Sequence, residues 1–92
     1  MSSDRNKKFN LKKKLVLEVT GKELKKLRKK GILALSYEYD LPSKSLQKTE
    51  KGLSDPLFTT MWRMVEANGI PFWQFIKIVQ ENLPENFSFF DD

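Results

Sequence analysis

Cysteine and histidine are both absent from the 92 residues. Without them the chain has no disulfide, no thiol nucleophile, no imidazole base and no zinc site of the usual ligand types. Most hydrolytic chemistry loses its common residues, and no enzyme activity, cofactor or metal is expected. Glycine is scarce as well: Gly21, Gly31, Gly52 and Gly69 stand far apart. None falls in the GxxxxGK[ST] or GxGxxG frames that cradle phosphates. The longest apolar run is four residues, Ile32 to Leu35, against the ~20 a membrane span requires. The opening Met1-Ser2-Ser3-Asp4-Arg5 is polar, and Glu18 cuts Leu15-Val16-Leu17 short of a signal-peptide core. The expected location is the cytoplasm.

What the chain has in quantity is positive charge, unevenly placed. Residues 1–51 carry 15 basic and 6 acidic side chains, a net +9, whereas residues 52–92 carry 2 and 6, a net −4. An asymmetry of this size points to a polyanionic partner; by itself it speaks of non-specific binding, not of fold. A chain of this length fits one small domain with a short arm or tail.

Residues 1–14, with Lys7, Lys8, Lys12, Lys13 and Lys14 around Phe9 and Leu11, read as a flexible basic arm too polar to bury a core alone. Leu15-Val16-Leu17-Glu18-Val19 is β-branched and apolar enough for a short strand, although no partner strand is visible. Thr20-Gly21-Lys22-Glu23 fits an S/T-x-x-E capping box, with Val19 and Leu24 placed as a hydrophobic staple. This predicts a helix from Gly21 to about Lys30. Ile32 to Asp40 reads as a second short helix, although apolar residues at 33, 35, 37 and 39 also alternate as in a strand. Ser43 to Lys51 reads as a third, stopped by Gly52, with Leu46 and Thr49 facing inward. Asp55 as N-cap and Pro56 at N1 predict a fourth helix to Asn68, and a fifth runs from Pro71 to Leu83. Phe58, Met61, Trp62 and Val65 on the fourth, and Phe72, Phe75, Ile76 and Val79 on the fifth, repeat at the spacing of a buried stripe. The expected architecture is an all-α, five-helix domain over 15–84. The acidic tail, 85–92, carries Phe87, Phe89 and Phe90, which either dock on the chain's own surface or enter a dimer interface.

The order of three motifs carries a resemblance. Gly-Lys-Glu-Leu-Lys-Lys-Leu-Arg-Lys-Lys-Gly-Ile at 21–32 precedes Leu41-Pro42-Ser43-Lys44-Ser45-Leu46-Gln47-Lys48-Thr49-Glu50-Lys51-Gly52. Asp55-Pro56-Leu57-Phe58-Thr59-Thr60-Met61 follows. Across some 50 residues this is similar to the lambda-repressor/Cro-like (Xre-type) helix-turn-helix family, whose recognition helix habitually ends in E-[RK]-G before [ND]-P-x-[LF]-x-T-[LM]. Between Gly31 and Leu41 the chain is about two residues shorter than the family pattern. The residues lost are the polar start of the second helix, which in the family commonly touches a DNA phosphate. Pro42 also stands where the family often has a Ser or Thr N-cap, leaving Asp40 or Ser43 to cap.

The resemblance places the base-reading positions on Ser43, Lys44, Ser45, Gln47 and Lys48. Their chemistry suits the major groove, where lysine donates to guanine O6/N7, glutamine pairs with adenine N6/N7 and serine serves either. A polar helix of this kind is otherwise a solvated face; the flanking motifs tip the reading toward base contact. Lys22, Lys25, Lys26 and Lys51, with Lys12, Lys13 and Lys14 of the arm, become phosphate neutralisers, or for some of them aids to solubility alone. The resemblance gives Glu50 a structural part, orienting nearby basic side chains and the following loop. The expected function is a sequence-specific double-stranded DNA-binding regulator, a small repressor of phage, plasmid or mobile-element type acting as a homodimer. The alternative is a protein-interaction module on the same scaffold: an antitoxin, an antirepressor or an inhibitor of a nucleic-acid-processing enzyme. RNA is disfavoured because aromatic residues are not interleaved with the basic run.

Overall fold

A computed structural model of the chain describes residues 2–90 and is all-α, with no strand among them. The five helices are α1 (Ser2–Leu27), α2 (Ile32–Tyr39), α3 (Ser43–Glu50), α4 (Phe58–Ala67) and α5 (Phe72–Asn82). The first differs most from expectation. Residues 2–14 are not an irregular arm, Leu15 to Val19 is not a strand, and Thr20 does not cap a new helix. All lie within one 26-residue helix.

Backbone hydrogen bonding explains the difference. A lone strand would leave its N–H and C=O groups without a ladder, whereas a helix satisfies them within the segment. Residues 2–20 contain no Gly or Pro, and the cost of Val16 and Val19 in a helix is only a few tenths of a kcal/mol each. Distant contacts then hold the extension. The Lys12 ammonium donates to the Ser88 carbonyl, Lys13 lies 3.7 Å from Asp55, and the Phe9 and Phe89 rings sit 5.8 Å apart. Phe89 in turn meets Phe87 edge-on at 5.4 Å. The aromatic tail therefore docks on the chain's own first helix; Asp91 and Asp92 lie outside the described residues.

Leu24, Leu35, Leu41, Leu46, Met61, Met64, Val65, Phe72, Phe75 and Val79 form the core, one contribution or more from every helix. Val19, Leu27, Ile32, Ile70 and Leu83 close its edges. On α4 the buried stripe is Met61, Met64 and Val65, so Phe58 and Trp62 do not belong to the core as their spacing predicts, and neither does Ile76 on α5. Phe58 and Trp62 instead meet the Phe72 ring across the two helices and stay largely open to solvent, as Ile76 does. Nor do Asp55 and Pro56 open α4. Leu57 is the N-cap residue, without a side-chain hydrogen bond, while the Asp55 carboxylate faces Lys13.

The crossing of α1 with the end of α3 is made by backbone. A Cβ on Gly21 would lie 2.2 Å from the Thr49 carbonyl oxygen and 2.7 Å from that of Glu50. Gly52, at φ +73°, adopts the left-handed conformation, and a Cβ there would sit 2.9 Å from Glu18 Cα. The Gly52 N–H donates to Thr49 O at 3.0 Å and the Leu53 N–H to Lys48 O at 2.9 Å. This is the paired hydrogen bonding of a Schellman cap. Gly21 therefore sits in mid-helix because a side chain would hold the two helices apart.

This has a sign that distinguishes it from helix propensity. Alanine at position 21 would gain about 1 kcal/mol from propensity alone. The clash with backbone oxygens, which cannot swing aside, outweighs that gain. Gly21→Ala is expected to lower stability by about 1–3 kcal/mol, the usual cost of overpacking, read from the midpoint of urea unfolding.

Candidate nucleic-acid interface

Three buried residues orient α3. Leu46 enters the core, and Thr49 donates its hydroxyl to the Ser45 carbonyl at 2.8 Å and meets Ser54 Oγ at 3.2 Å. The Glu50 carboxylate, 4% exposed, receives two hydrogen bonds from Arg28, Nε to Oε2 at 2.7 Å and Nη2 to Oε1 at 3.1 Å. The third guanidinium nitrogen, Nη1, donates to the Lys30 carbonyl at 2.7 Å. One fork thus ties the last residue of α3 to the turn between α1 and α2. A bidentate, largely desolvated pair fixes geometry more firmly than a surface pair.

With that face held inward, the opposite face of α3 is fixed outward. Lys44, Gln47, Lys48 and Lys51 are exposed at i, i+3, i+4 and i+7 and form one stripe of three ammonium groups around an amide. Ser43 and Ser45 are half-buried at its margins. Pro42 is the N-cap residue of α3 and supplies no side-chain hydrogen bond; the first intrahelical bond runs from Leu46 N–H to Pro42 O at 3.0 Å. Neither Asp40 nor Ser43 takes the capping place, because Asp40 is the C-cap of α2, at φ 53°. The N–H groups of the first turn and the stripe beside them make this end of α3 electropositive.

The turn that joins α2 to α3 is itself tied down. The Leu41 N–H donates to Ser36 O at 2.9 Å, and the Ser36 hydroxyl donates to the Leu41 carbonyl. Arg63 reaches across from α4 to the Asp40 carbonyl at 2.8 Å and the Tyr39 carbonyl at 3.4 Å. Sequence reasoning missed Arg28 and Arg63. Neither has a local signature, since their partners lie 22 to 24 residues away.

The remaining lysines do not form one cluster. Lys22, Lys25 and Lys26 are exposed on the outward side of α1, and Lys26 is paired with Glu23 at 3.1 Å. Lys12 and Lys13 are half-buried and engaged with the tail and with Asp55, while Lys14 is exposed. Because all six ride on one helix rising 1.5 Å per residue, the Lys12–Lys14 group lies roughly 20 Å from Lys26 along the axis. Lys30 and Glu38 form a further exposed ion pair beside the α1–α2 turn. The hydrogen bond from Lys30 holds the Glu38 carboxyl below its ordinary range, and the same bond raises the Lys30 ammonium.

Chemically, the α3 stripe offers hydrogen-bond donors to an anionic surface, with Gln47 as the one side chain able both to donate and to accept. None of the described helices is long and apolar enough to cross a membrane. Compared with protein-family models, curated proteins and solved structures, the chain matches none.

The Arg28–Glu50 fork is testable on its own. Glu50→Gln keeps the shape but removes the charge that two guanidinium hydrogen bonds need, and is expected to cost about 3–5 kcal/mol, as for other buried pairs that lose one partner. In a double-mutant cycle with Arg28→Met, chemical denaturation should return a combined loss well below the sum of the two single losses. Additive losses would mean the fork contributes nothing as a pair.

Proposed function

We propose that this chain is a sequence-specific double-stranded DNA-binding regulator of the Xre-type helix-turn-helix kind, acting as a small homodimeric repressor. One observation carries the reading: a short helix, held by Leu46, Thr49 and the Arg28–Glu50 fork, presents Lys44, Gln47, Lys48 and Lys51 outward on a single face. That is the geometry base readout needs, a rigid element whose polar side chains are free to reach base edges. Three residues, 40–42, separate α2 from α3, the length typical of the turn in such motifs.

The motif order over 21–61 adds to this reading, as does the +9 carried by residues 1–51. In it Lys44, Gln47 and Lys48 meet bases and the half-buried Ser43 and Ser45 bond at the edge of the contact. Lys22, Lys25, Lys26 and Lys51 neutralise phosphates, and Lys14 is the best placed of the N-terminal group to do the same. The N-terminal lysines act from a helix and not as a strand threaded along a groove. Lys12 and Lys13 must first part from Ser88 and Asp55.

Selection of bound sites from a random DNA pool at two salt concentrations tests the proposal, because charge alone gives no consensus and a steep salt dependence. A consensus is expected. On the selected site Lys44→Ala and Gln47→Ala should each weaken binding by about 1–3 kcal/mol while leaving random DNA unaffected. Lys22→Ala should weaken both alike and reduce the salt slope by about one. No consensus, or variants at 44 and 47 that bind every sequence as the parent does, would sink the reading.

A further inference from the structure

Beyond α5 the chain turns back onto α1. The Phe87 N–H donates to Pro84 O at 3.0 Å, Asn86 takes the left-handed conformation at φ 63°, and the Phe90 N–H donates to Ser88 Oγ at 3.1 Å. These turns set the Phe87 and Phe89 rings edge-on, 5.4 Å apart, and bring the Ser88 carbonyl to the Lys12 ammonium at 2.5 Å. Beside that bond the Phe89 ring lies 5.8 Å from Phe9, which stands one helical turn before Lys12 on α1. The tail is thus a shaped segment, clamped on α1 at two neighbouring points.

Its position matters because of charge. Residues 2–14 carry six basic side chains and one acidic, a net +5, whereas residues 84–92 carry three acidic and no basic ones, a net −3. A phosphate that reaches for Lys12 has to take the place of the Ser88 carbonyl and to approach a segment of its own sign. The clamp is also light. Phe9 is 52% exposed and Phe89 37%, and neither belongs to the core, so the tail can leave while the core stays closed. An ionised acceptor holds an ammonium more strongly than a carbonyl does, which lets phosphate compete for the same atom.

We propose that residues 84–90 are an autoinhibitory latch: docked on α1, they withhold Lys12 from the phosphates of a nucleic acid, and binding there requires the latch to open. The affinity of the closed chain is then lower by the fraction of molecules that are open. The inference rests on the preceding reading in one respect, that the basic half meets DNA; it needs no base readout by α3.

Binding of the full chain to a duplex of random sequence, followed over a series of salt concentrations, tests the latch apart from sequence recognition. Phe89→Gln and, separately, Phe9→Gln remove the ring contact without changing the charge of the chain. Each is expected to keep the parent's helical circular dichroism and to bind the random duplex at least threefold more tightly, and the double variant should gain no more than either alone. Lys12→Ala should change the parent's affinity less than twofold. In the Phe89→Gln background the same change should weaken binding at least threefold and lower the salt slope by about one. Ring variants that bind as the parent does overturn the inference, and so does a Lys12→Ala loss that is equal in the two backgrounds. A chain that binds no duplex at all overturns both this inference and the preceding reading. Selection of a DNA consensus with no gain from the ring variants overturns the inference alone. A gain from both ring variants in a chain that selects no consensus upholds it and overturns the preceding reading.

Discussion

The rest of the structure depends on how closely α1 can lie against the end of α3. Two glycines make that contact: Gly21, set against the Thr49 and Glu50 carbonyls, and Gly52, set against the Glu18 backbone. With the backbones this near, the Arg28 guanidinium reaches the Glu50 carboxylate and the Lys30 carbonyl together. Leu24 and Leu46 are then both fully buried in the same core. A wider crossing would open the core between these two leucines and lengthen the fork. It is therefore a backbone approach, and not the area of any one apolar side chain, that fixes the orientation of α3.

That orientation separates two kinds of surface. The side of α3 turned away from α1 is polar and mostly cationic, whereas α4 and α5 expose a neutral aromatic face. The Arg63 bridge to the α2–α3 turn joins the two parts, since it links α4 to the carbonyls of Tyr39 and Asp40. A shift of α4 would thus be felt at the turn that sets the start of α3. Long α1 binds the ends of the chain as well, through the Phe9–Phe89 contact and the Lys12 bond to the tail carbonyl.

Helices α2 to α5 were legible because their signals are local. Gly52 and Pro71 mark ends or starts within a residue or two, and the inward pair Leu46 and Thr49 follows from a spacing of three. The outward stripe of α3 was legible for the same reason. The start of α1 was not: Thr20-Gly21-Lys22-Glu23 has the chemistry of a capping box, yet Thr20 and Glu23 are both buried in mid-helix. A cap and a glycine that admits a neighbouring backbone use the same residue types, and the difference lies in α3, nearly 30 residues away. Spacing also failed for Phe58, Trp62 and Ile76. It gives the width of an apolar stripe but not which part of it a neighbouring helix covers.

The sequence by itself determined the class and most of the parts: an all-α domain of short helices marked off by Gly and Pro, and a cationic half, +9, beside a mildly anionic one, −4. It also determined that Lys44, Gln47, Lys48 and Lys51 share a face, because a 3.6-residue period is a property of the helix alone. Only the tertiary structure decided that α1 begins at residue 2, that Gly21 is a contact and not a helix start, that Arg28 and Arg63 brace α3 and its turn, and that an aromatic face stays open. Each of these turns on groups more than twenty residues apart in the chain, or on which side of a helix its neighbour leaves bare. Propensity and periodicity act over one or two turns, so they carry no information about such partners until the backbone has brought them together.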